Sequence, residues 1–300
     1  MSRPPAADLA LLGVAVVAVS TSAPLVRVAD APTLAVAFWR NALALPVLVA
    51  VAAWRSPGRL RTLTPEERRL AVVAGAFLAA HFATWIPSLS FTTVASSVAL
   101  VATQPVWAAL IARWRGEAVT GQAWAGIAVA LAGTLLLSGI DLDVGPRALF
   151  GDMLALAGGL LAAAYVTVGA DARRTVPTSV YAAVCYGVAA AALAGVCLAG
   201  RQPLAGYDAH TWAVLLAIMV GPQLLGHTLI NRVLRTTSTT VVSVAILFEI
   251  VGAAVIAWLA FDEVPPASAV PAGALIAAGV VLVVRASAGE PAVSGAPAVE

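Results

Sequence analysis

The sequence predicts an all-α integral membrane protein with ten transmembrane helices, arranged as two inverted repeats of five helices each. Composition is the first indication, because 61% of the 300 residues are hydrophobic and 11% are charged. A soluble domain of this length does not need so much apolar surface, so the bilayer must be the solvent for most of the chain. The second indication is a series of long apolar segments, and the third is an internal repeat.

Ten apolar segments can be counted along the chain. Each has about the 17–25 residues that cross roughly 30 Å of hydrocarbon as a helix. The strands of a membrane β-barrel would have about 10 residues and would alternate in polarity. The segments cover residues 9–28, 33–54, 69–91, 93–113, 121–139, 148–170, 178–199, 210–231, 237–260 and 268–284.

The first segment also has features of a secretory signal peptide. Arg3 precedes an apolar run from Leu9 to Val19, and the run ends in Ser-Thr-Ser-Ala, as at a cleavage site. Pro24 directly follows that site and disfavours cleavage. Nine more segments follow, and the repeat needs this one, so we expect it to remain as the first helix.

An internal repeat relates the ends of the two halves. Residues 93–137 and 239–283 each contain an apolar span, an acidic residue, a short loop and a second apolar span with small residues. The acidic residues, Glu117 and Glu263, are 146 positions apart. Such a repeat in a membrane chain indicates a transporter built from two related halves. The chain therefore divides into a cytoplasmic N-terminus (1–8), two five-helix repeats (9–139 and 148–284) and a disordered cytoplasmic tail (285–300).

The placement of arginine predicts the orientation. All 17 basic residues are Arg; with the N-terminus in the cytoplasm, 13 fall at cytoplasmic positions and 3 in external loops, while Arg40 lies within a segment. This asymmetry follows the positive-inside rule and places both termini in the cytoplasm. It also places Glu117 in a cytoplasmic loop and Glu263 in an external one, so the two repeats have inverted topology. The expected location is the cytoplasmic (inner) membrane of a bacterium.

Several stretches resemble the EamA-type transporters of the drug/metabolite transporter superfamily. The stretches SVALVATQPVWAALIARWRGE and VVSVAILFEIVGAAVIAWLAFDE are similar to that family's signature helix. FWRNALALP (38–46) resembles its second helix, and PQLLGHTLINRVLRTTS (222–238) resembles its eighth helix and the following turn. The resemblance implies ten helices, inverted five plus five, around a central cavity. It also implies an exporter or facilitator of amino acids and related small metabolites or drugs.

One position departs from the family pattern. The second repeat has Glu249-Ile250 where the family often has Glu-Pro, so the helix-breaking proline occurs only in the first repeat, at Pro105. A proline bend is therefore expected in the fourth helix alone. The carbonyl that Pro105 frees would either line the cavity or accompany a simple packing kink.

Glu249 is the leading candidate for substrate binding or coupling. It lies near the middle of the ninth segment, where a bare carboxylate costs several kcal/mol, so it should face a watery cavity, find a partner or carry a proton. The alternative is a structural carboxyl that bonds a neighbouring helix. Gln104 is its near-symmetric counterpart in the fourth segment and would either bind substrate or join helices by hydrogen bonds.

A cation and several aromatic side chains form the second group of candidates. Arg40 would either pair with an anionic group of the substrate or extend to the outer interface. His81 and Trp85 share a face of the third segment. His81 would shuttle protons or pair with Glu249, or else bond a backbone carbonyl; Trp85 would stack on a ligand, or else pack against lipid or protein. Trp39 and Trp107 allow the same two interpretations, since they lie beside Arg40 and close to the polar centre of the fourth segment.

A polar stripe on the eighth segment completes the set. Gln223 and His227 are four residues apart, with Asn231 one turn further. The stripe would either line an inner vestibule or hold helices together by hydrogen bonds. Glu117 and Glu263 are expected to cap the helices that follow them. Small residues on the fifth and tenth segments suit tight packing, either within the bundle or across a homodimer: Gly126, Ala130, Gly133, Gly273 and Ala277.

These features predict a secondary transporter that works by alternating access. The partners would be a small-molecule substrate, membrane lipid and, if transport is coupled, protons; a net charge of +2 is too small to suggest nucleic acid. The chain has no Lys, hence no Walker A loop, and no HExxH, GxSxG or Cys/His cluster, so neither an enzyme nor a cofactor or metal is expected. Cys185 and Cys197 are interpreted as small buried residues. A channel for small solutes is the alternative; it would need a selectivity filter.

Overall fold

The computed structural model describes residues 6–92, 94–138, 145–262 and 267–288, and every regular element in these ranges is helical. The first half contains seven helices. They are α1 (Ala6–Ser20), α2 (Ser22–Val28), α3 (Thr33–Arg55), α4 (Pro65–Ser88), α5 (Val94–Val101), α6 (Gln104–Trp114) and α7 (Gly121–Ser138).

The second half contains seven α-helices and one π-helical stretch. The α-helices are α8 (Pro146–Ala172), α9 (Thr178–Ala199), α10 (Ala209–Ile218), α11 (Thr228–Val233), α12 (Thr239–Ile246), α13 (Phe248–Phe261) and α14 (Ala269–Ala288). The π stretch, Met219–His227, joins α10 to α11 and contains Pro222. Because proline has no N–H, it interrupts the α-helical hydrogen-bond ladder, and π turns are often found at functional sites.

Helix starts follow local sequence signals. At α4 the Thr64 side chain accepts a hydrogen bond from the Glu67 N–H, and the Glu67 carboxylate accepts one from the Thr64 N–H. This capping box satisfies two N–H groups that a helix start leaves open. At α7 the hydroxyl of Thr120 accepts from the Ala123 N–H at 3.2 Å. The capping bond at this helix start therefore comes from Thr120, rather than from Glu117 as the sequence suggested.

The described chain contains eight helical stretches that are long and apolar enough to cross a membrane, and Gly121–Leu136 is a shorter apolar helix. The multi-pass architecture is therefore clear, whereas ten spans stay a prediction. The difference lies mainly in residues 94–114, where a break at Ala102 and Thr103 divides one apolar segment into α5 and α6. Neither piece alone could cross the hydrocarbon.

Both halves contain an interrupted helix at the equivalent place. The first interrupted helix is α5–α6, broken just before Pro105; the second is α12–α13, broken at Leu247. The expectation of a bend in the first repeat alone was therefore incomplete, because the second helix breaks without a proline. Val241, Val244 and Leu247 belong to an apolar cluster with residues of α6 and α7, so tertiary packing holds the second break.

Helix packing repeats between the halves. Each segment of the first half is equivalent to the segment five places later in the chain. With this pairing, each of the following helix contacts has a counterpart in the other half. Helix α4 packs on α8 and α9, while the equivalent stretch α10–π–α11 packs on α1 and α3. The first interrupted helix packs on α8, and the second packs on α1. Equivalent helices also pack on each other, in the pairs α3–α9, α7–α14 and α6–α12.

Helices α7 and α14 run antiparallel in close contact. A Cβ atom on Gly126 would lie 2.8 Å from the Gly279 carbonyl oxygen, and one on Gly133 would lie 2.6 Å from the Ala272 carbonyl oxygen. Both distances are too short for any side chain, so glycine is required for this approach. Gly126, Ala130 and Gly133 therefore pack within the bundle, and a contact across a homodimer stays a prediction.

Two expectations concern the ends of the second repeat. Helix α14 continues to Ala288, four residues into the segment expected to be a disordered tail, and residues 289–300 lie outside the described ranges. Glu263, expected to cap the last helix, also lies outside them.

Candidate substrate-binding cavity

A cavity of about 100 Å³ lies where the two interrupted helices meet α1, α3, α4 and α8. One buried water needs about 10–15 Å³, so this space holds several waters or a small solute. Apolar side chains form most of its lining. The polar lining residues are Ser22, Arg40, His81, Trp85, Gln104, Tyr165, His227, Ser243 and Glu249.

Arg40 lies on α3 with its guanidinium buried at the cavity; the residue is 1% exposed. Its Nε donates to Gln223 Oε1 at 2.7 Å, and one terminal nitrogen donates to Ser22 Oγ at 3.4 Å. The guanidinium carbon lies 4.2 Å from the centroid of the Phe82 ring, a favourable cation–π distance. Arg40 therefore faces the protein interior and does not extend to the outer interface.

Gln223 lies behind the cavity lining and holds Arg40 in place. While its Oε1 accepts from Arg40, its Nε2 donates to Asn41 Oδ1 at 2.9 Å, and Asn41 Nδ2 donates to the Ala37 carbonyl at 2.9 Å. This chain of bonds fixes which way the Gln223 amide points. It also joins α3 to the π stretch, so the position of the cation depends on both halves of the molecule.

Glu249 lies at the start of α13 and lines the same cavity. Within the described ranges its carboxylate has no hydrogen-bond donor, and no ion pair within 4 Å includes it or Arg40. The cavity thus presents an acid and a base that remain apart. A partly buried carboxylate and a buried guanidinium that do not pair with each other are available for a third, bound group.

His81, Trp85 and His227 form an aromatic group beside Arg40. His81 Nδ1 donates to the Gly158 carbonyl at 2.9 Å, and its ring stacks on Trp85 with centroids 5.7 Å apart. His227 meets Phe82 edge-on at 5.7 Å. Among the residues that the structure describes, the buried indole Nε1 of Trp85 and the buried Nδ1 of His227 have no hydrogen-bond partner. Unsatisfied buried groups are costly, so these two atoms indicate a place for water or a ligand.

Gln104 is the first residue of α6, and its amide Nε2 donates to Ser243 Oγ of α12 at 3.2 Å. This bond joins the two interrupted helices between α6 and α12. Within the described residues no comparable packing joins α5 to α13. The cavity is therefore bounded on one side by the α6–α12 contact.

Tyr165, on α8, borders the cavity near the end of the polar stripe on the eighth segment. Its hydroxyl donates to Asn231 Oδ1 at 3.1 Å, while Asn231 Nδ2 lies 2.8 Å from the hydroxyl oxygen. Beneath them, the buried Arg173 donates through Nε to the Asn231 carbonyl at 3.0 Å and through its terminal nitrogens to Val176 and Thr178. The Asn231 end of the stripe thus holds helices together rather than lining a vestibule.

Two polar contacts between the halves lie on the same side of the molecule as Asn231 and Arg173. Arg115, after α6, forms an ion pair with Asp171, near the end of α8, at 2.9 Å. The hydrogen bond to Asp171 raises the pKa of the Arg115 guanidinium, so this cation stays charged at physiological pH. In the second contact, the Thr236 hydroxyl donates to the Asp8 carboxylate.

Trp39 and Trp107 do not line the cavity. The indole of Trp39 donates to the Leu204 carbonyl at 2.9 Å and packs edge-on against Trp212 with centroids 4.9 Å apart. The indole of Trp107 donates to Thr103 Oγ1 at 3.1 Å, next to the break in the first interrupted helix. Of the nine candidates from the sequence, the structure brings six to the cavity; these two and Gln223 lie outside its lining.

The spacing of two histidines in the sequence also points to this site. His81 and His227 are 146 positions apart, the same offset that relates Glu117 to Glu263. Two histidines at equivalent positions of two repeats are expected to approach the same central site. Ser22 has no such counterpart, because the position 146 residues further along the chain holds Val168. No cluster of three or more His, Cys, Asp or Glu suited to a metal occurs in the described ranges.

Comparisons with known proteins agree with this architecture. The family model for the EamA-like transporter family matches the chain twice, at residues 6–139 and 149–285. A curated relative from Archaeoglobus fulgidus, named an uncharacterized transporter, is 25% identical over 249 residues, covering 82% of this chain and 86% of its own length. A solved crystal structure is similar in fold, with a TM-score of 0.78, 21% identity, and coverage of 92% of this chain and 96% of that one.

Proposed function

Because the chain belongs to the EamA-like transporter family, we propose that it is a secondary transporter that exports a small zwitterionic or amphipathic metabolite across the cytoplasmic membrane by alternating access. Amino acids and amphipathic drug-like compounds are the substrate classes. The observation that carries the proposal is the central cavity, in which Arg40 and Glu249 come from different repeats and do not pair with each other. Export is the direction typical of the family.

Ten helices in two inverted repeats are supported by the packing. A two-fold axis in the membrane plane makes equivalent helices antiparallel, and α7 and α14 have this relation. Their contacts are also reciprocal. Gly126 meets Gly279 and Gly133 meets Ala272, and the first contact becomes the second when Gly126 is shifted forward and Gly279 back by 146 positions. Inversion gives the molecule two related states, one open to each side.

The proposed orientation has both termini in the cytoplasm. Loops that arginine placement assigns to one side should touch each other, and Arg115 pairs with Asp171. On the opposite side, Arg147 donates to the Ser90 carbonyl at 3.0 Å. The α6–α12 contact then lies towards the cytoplasm, so the cavity faces outward in this structure. The exposed apolar side chains along the helices would contact lipid.

The chemistry of the cavity supports a substrate with two charges and an apolar body. Arg40 would hold a carboxylate, with the free N–H of Trp85 and the Nδ1 of His227 as further polar contacts. Glu249 would hold an ammonium group. The remaining lining suits a compact apolar side chain: Val19, Val101, Ala162, Val166, Ile230, Ile246, Leu247, Ile250 and Ala253.

Glu249 is also the proposed coupling residue. A carboxyl that has no protein donor in the described ranges and faces a watery cavity can exchange its proton with either side as the cavity changes its opening. If Glu249 does not exchange a proton, the same cavity supports facilitated diffusion. A homodimer is compatible with the proposal, and no step of transport requires one.

Counterflow in proteoliposomes tests the proposal. Vesicles are preloaded with a panel of amino acids and small amphipathic compounds, and uptake of each labelled compound is followed with and without a proton gradient. A carrier accumulates label against its unlabelled pool. A channel shows no counterflow and faster flux, and that result would contradict alternating access.

Glu249→Gln then tests coupling, since it keeps the shape and removes the charge. Because Glu249 is also the proposed partner of the substrate's ammonium group, we expect counterflow to weaken, and the counterflow that remains to lose its response to the proton gradient. Asp262→Asn is the matched control, because it removes an exposed carboxylate just beyond the end of the same helix. If Glu249→Gln moves substrate like the original protein at every pH, Glu249 has no role in proton coupling.

A further inference from the structure

We propose that Ser97 is the hydrogen-bond partner that Glu249 gains when the cavity opens to the opposite side. This inference rests on the proposed alternating access. It assigns one inter-repeat bond to each state: Gln104 with Ser243 in the structure described here, and Glu249 with Ser97 in the other state.

The bond assigned to the first state, between Gln104 and Ser243, is present in the structure. Gln104 Nε2 donates to Ser243 Oγ at 3.2 Å, and both residues are buried. It lies where α6 meets α12, with Ala109, Val241 and Val244 in the apolar cluster around it. The bond can exist only while α6 and α12 are together, so it stabilises the state in which this side of the cavity is closed.

The repeat supplies the equivalent pair. Ser97 and Ser243 are 146 positions apart, the offset that also relates the two histidines of the cavity. Gln104 and Glu249 are 145 apart, because the break in the second interrupted helix is one residue long and the break in the first is two. Both side chains therefore stand just after the break, on the first residue of α6 and the second of α13.

Inverted repeats exchange their conformations when the cavity changes its opening. In the second state α5 and α13 would take the relation that α6 and α12 have here. That movement brings Ser97 of α5 towards Glu249 of α13. The bond would differ in chemistry from its counterpart, because an ionised carboxylate accepts a shorter and stronger hydrogen bond than a neutral group.

Ser97 has a proton to donate. The Ser97 hydroxyl oxygen lies 2.6 Å from the Ser88 hydroxyl oxygen. The Ser88 hydroxyl donates its proton to the Trp85 carbonyl, at 2.6 Å. Since Ser88 uses its proton on Trp85, Ser97 must be the donor between the two serines. Moving to the second state would exchange one acceptor of the Ser97 proton for another, and Glu249, which has no donor in the described ranges, would gain one.

Double electron–electron resonance measures the populations without a substrate. Spin labels are placed on Trp114→Cys and Thr240→Cys, at the ends of α6 and α12 that are farthest from the cavity. Both changes are made in a Cys185→Ala/Cys197→Ala background. The structure described here gives the short distance, and the second state gives a longer one. Ser243→Ala should raise the long-distance population about 2- to 10-fold, since it removes one bond of the first state.

The decisive comparison uses Ser88→Ala as the reference, because Ser97→Ala alone loses a bond in both states. Ser88→Ala frees Ser97 and should raise the long-distance population. Adding Ser97→Ala then removes only the second-state bond and should lower that population about 2- to 10-fold. In a Ser88→Ala/Glu249→Ala background, the same Ser97→Ala change should have no further effect. Size-exclusion profiles and thermal midpoints establish that each variant is folded.

The outcomes separate this inference from the function it rests on. If no variant shows a second distance, alternating access itself is contradicted. If the second distance is present but Ser97→Ala does not lower it in the Ser88→Ala background, then Ser97 is not the partner of Glu249. A reduction that persists without Glu249 assigns Ser97 a different partner and also overturns the inference.

Discussion

The two repeats have equivalent helices and helix contacts but differ in the chemistry that they bring to the cavity. His81 and His227 are equivalent, and the α7–α14 contact is reciprocal. By contrast, the position equivalent to Arg40 holds Tyr186, and the position equivalent to Gln104 holds Glu249. The unmatched side chains place a cation and an acid in one cavity, whereas the proposed change of conformation would depend on the matched helices. Conformational change and substrate recognition can therefore be tested separately.

The largest effect is expected from Arg40→Ala. It leaves the Gln223 oxygen without its donor and removes the cation that would hold the substrate carboxylate. Losing one member of such a buried, hydrogen-bonded charge pair costs about 2–5 kcal/mol. Counterflow should fall on the order of 100-fold. Arg40→Lys should recover only part of the activity, because an ammonium group cannot reproduce the planar contacts of a guanidinium with both Gln223 and Phe82.

Tyr186→Phe is the matched control in the other repeat. The Tyr186 hydroxyl donates to the Gln223 carbonyl at 3.3 Å, and Thr228 also donates to that carbonyl. Its loss should change counterflow by no more than about 3-fold. If Arg40→Ala and Tyr186→Phe lower counterflow equally in folded protein, the two equivalent positions contribute equally to transport. Arg40 would then have no special role in substrate binding.

Much of the fold could be predicted because lipid imposes strong rules. The apolar segments, the repeat and the polar residues within spans are all visible in the sequence, and Arg40, His81, Gln104 and Glu249 do meet at one cavity. What a span does not reveal is which neighbour satisfies a polar side chain. Gln223 was a candidate for the lining, yet its amide is used by Arg40 and Asn41.

The breaks and the tryptophans show the same limit. Pro105 indicates in the sequence that the helix breaks before α6. The break at Leu247 has no such local signal, because it depends on packing between α12 and helices that are distant in the chain. Trp39 adjoins Arg40 in sequence, but its indole reaches a loop carbonyl more than 160 positions away. Local sequence patterns identify the side chains that must avoid lipid. Which residue each of them contacts depends on how the helices pack in the folded protein.

The reciprocal contact between the repeats gives the next prediction. A Cβ on Gly133 would meet the Ala272 carbonyl at 2.6 Å, and one on the equivalent Gly279 would meet the Gly126 carbonyl at 2.5 Å. Gly133→Ala and Gly279→Ala should each lower the free energy of unfolding by about 1–3 kcal/mol, since backbone must move to admit the methyl group. The thermal midpoint in detergent should fall by similar amounts in both.

Gly195→Ala is the control, because nothing lies within 4 Å of the Cβ position in that helix. It should leave the midpoint unchanged or raise it slightly, since alanine reduces the freedom of the unfolded chain. A large loss for only one of Gly133→Ala and Gly279→Ala would show that the α7–α14 contact is not symmetric.

The two histidines should separate stability from transport. His81 donates a hydrogen bond to the Gly158 carbonyl, whereas the Nδ1 of His227 has no partner in the described part of the chain. His81→Phe should therefore lower the free energy of unfolding by about 1 kcal/mol, and His227→Phe should not. Counterflow should respond more to His227→Phe, because that change removes a polar atom available to the substrate. Equal thermal midpoints for the two variants would contradict the structural role of His81.

The smallest effect concerns the tie between the repeats at the proposed cytoplasmic side. Arg115 and Asp171 are joined at 2.9 Å, with side chains 31% and 23% exposed, and an ion pair so open to water contributes about 0–1 kcal/mol. Arg115→Ala should raise the long-distance population in the spin-label experiment by no more than about 5-fold. High salt should produce a similar shift in the unmodified protein and none in the variant, because ions screen exposed pairs.

The opposite side provides the comparison. The Thr92 hydroxyl donates to Asp152 at 2.7 Å and also joins the two repeats. It adjoins the α4–α8 contact, where Gly158 allows close approach to Trp85 of α4 and Gly151 allows close approach to the residues just after α4. Helices packed so tightly along their length should move as one body, so Thr92→Val should leave the populations unchanged. A shift as large as that of Arg115→Ala would mean that α4 and α8 also separate during transport, and that the moving boundary extends beyond the two interrupted helices.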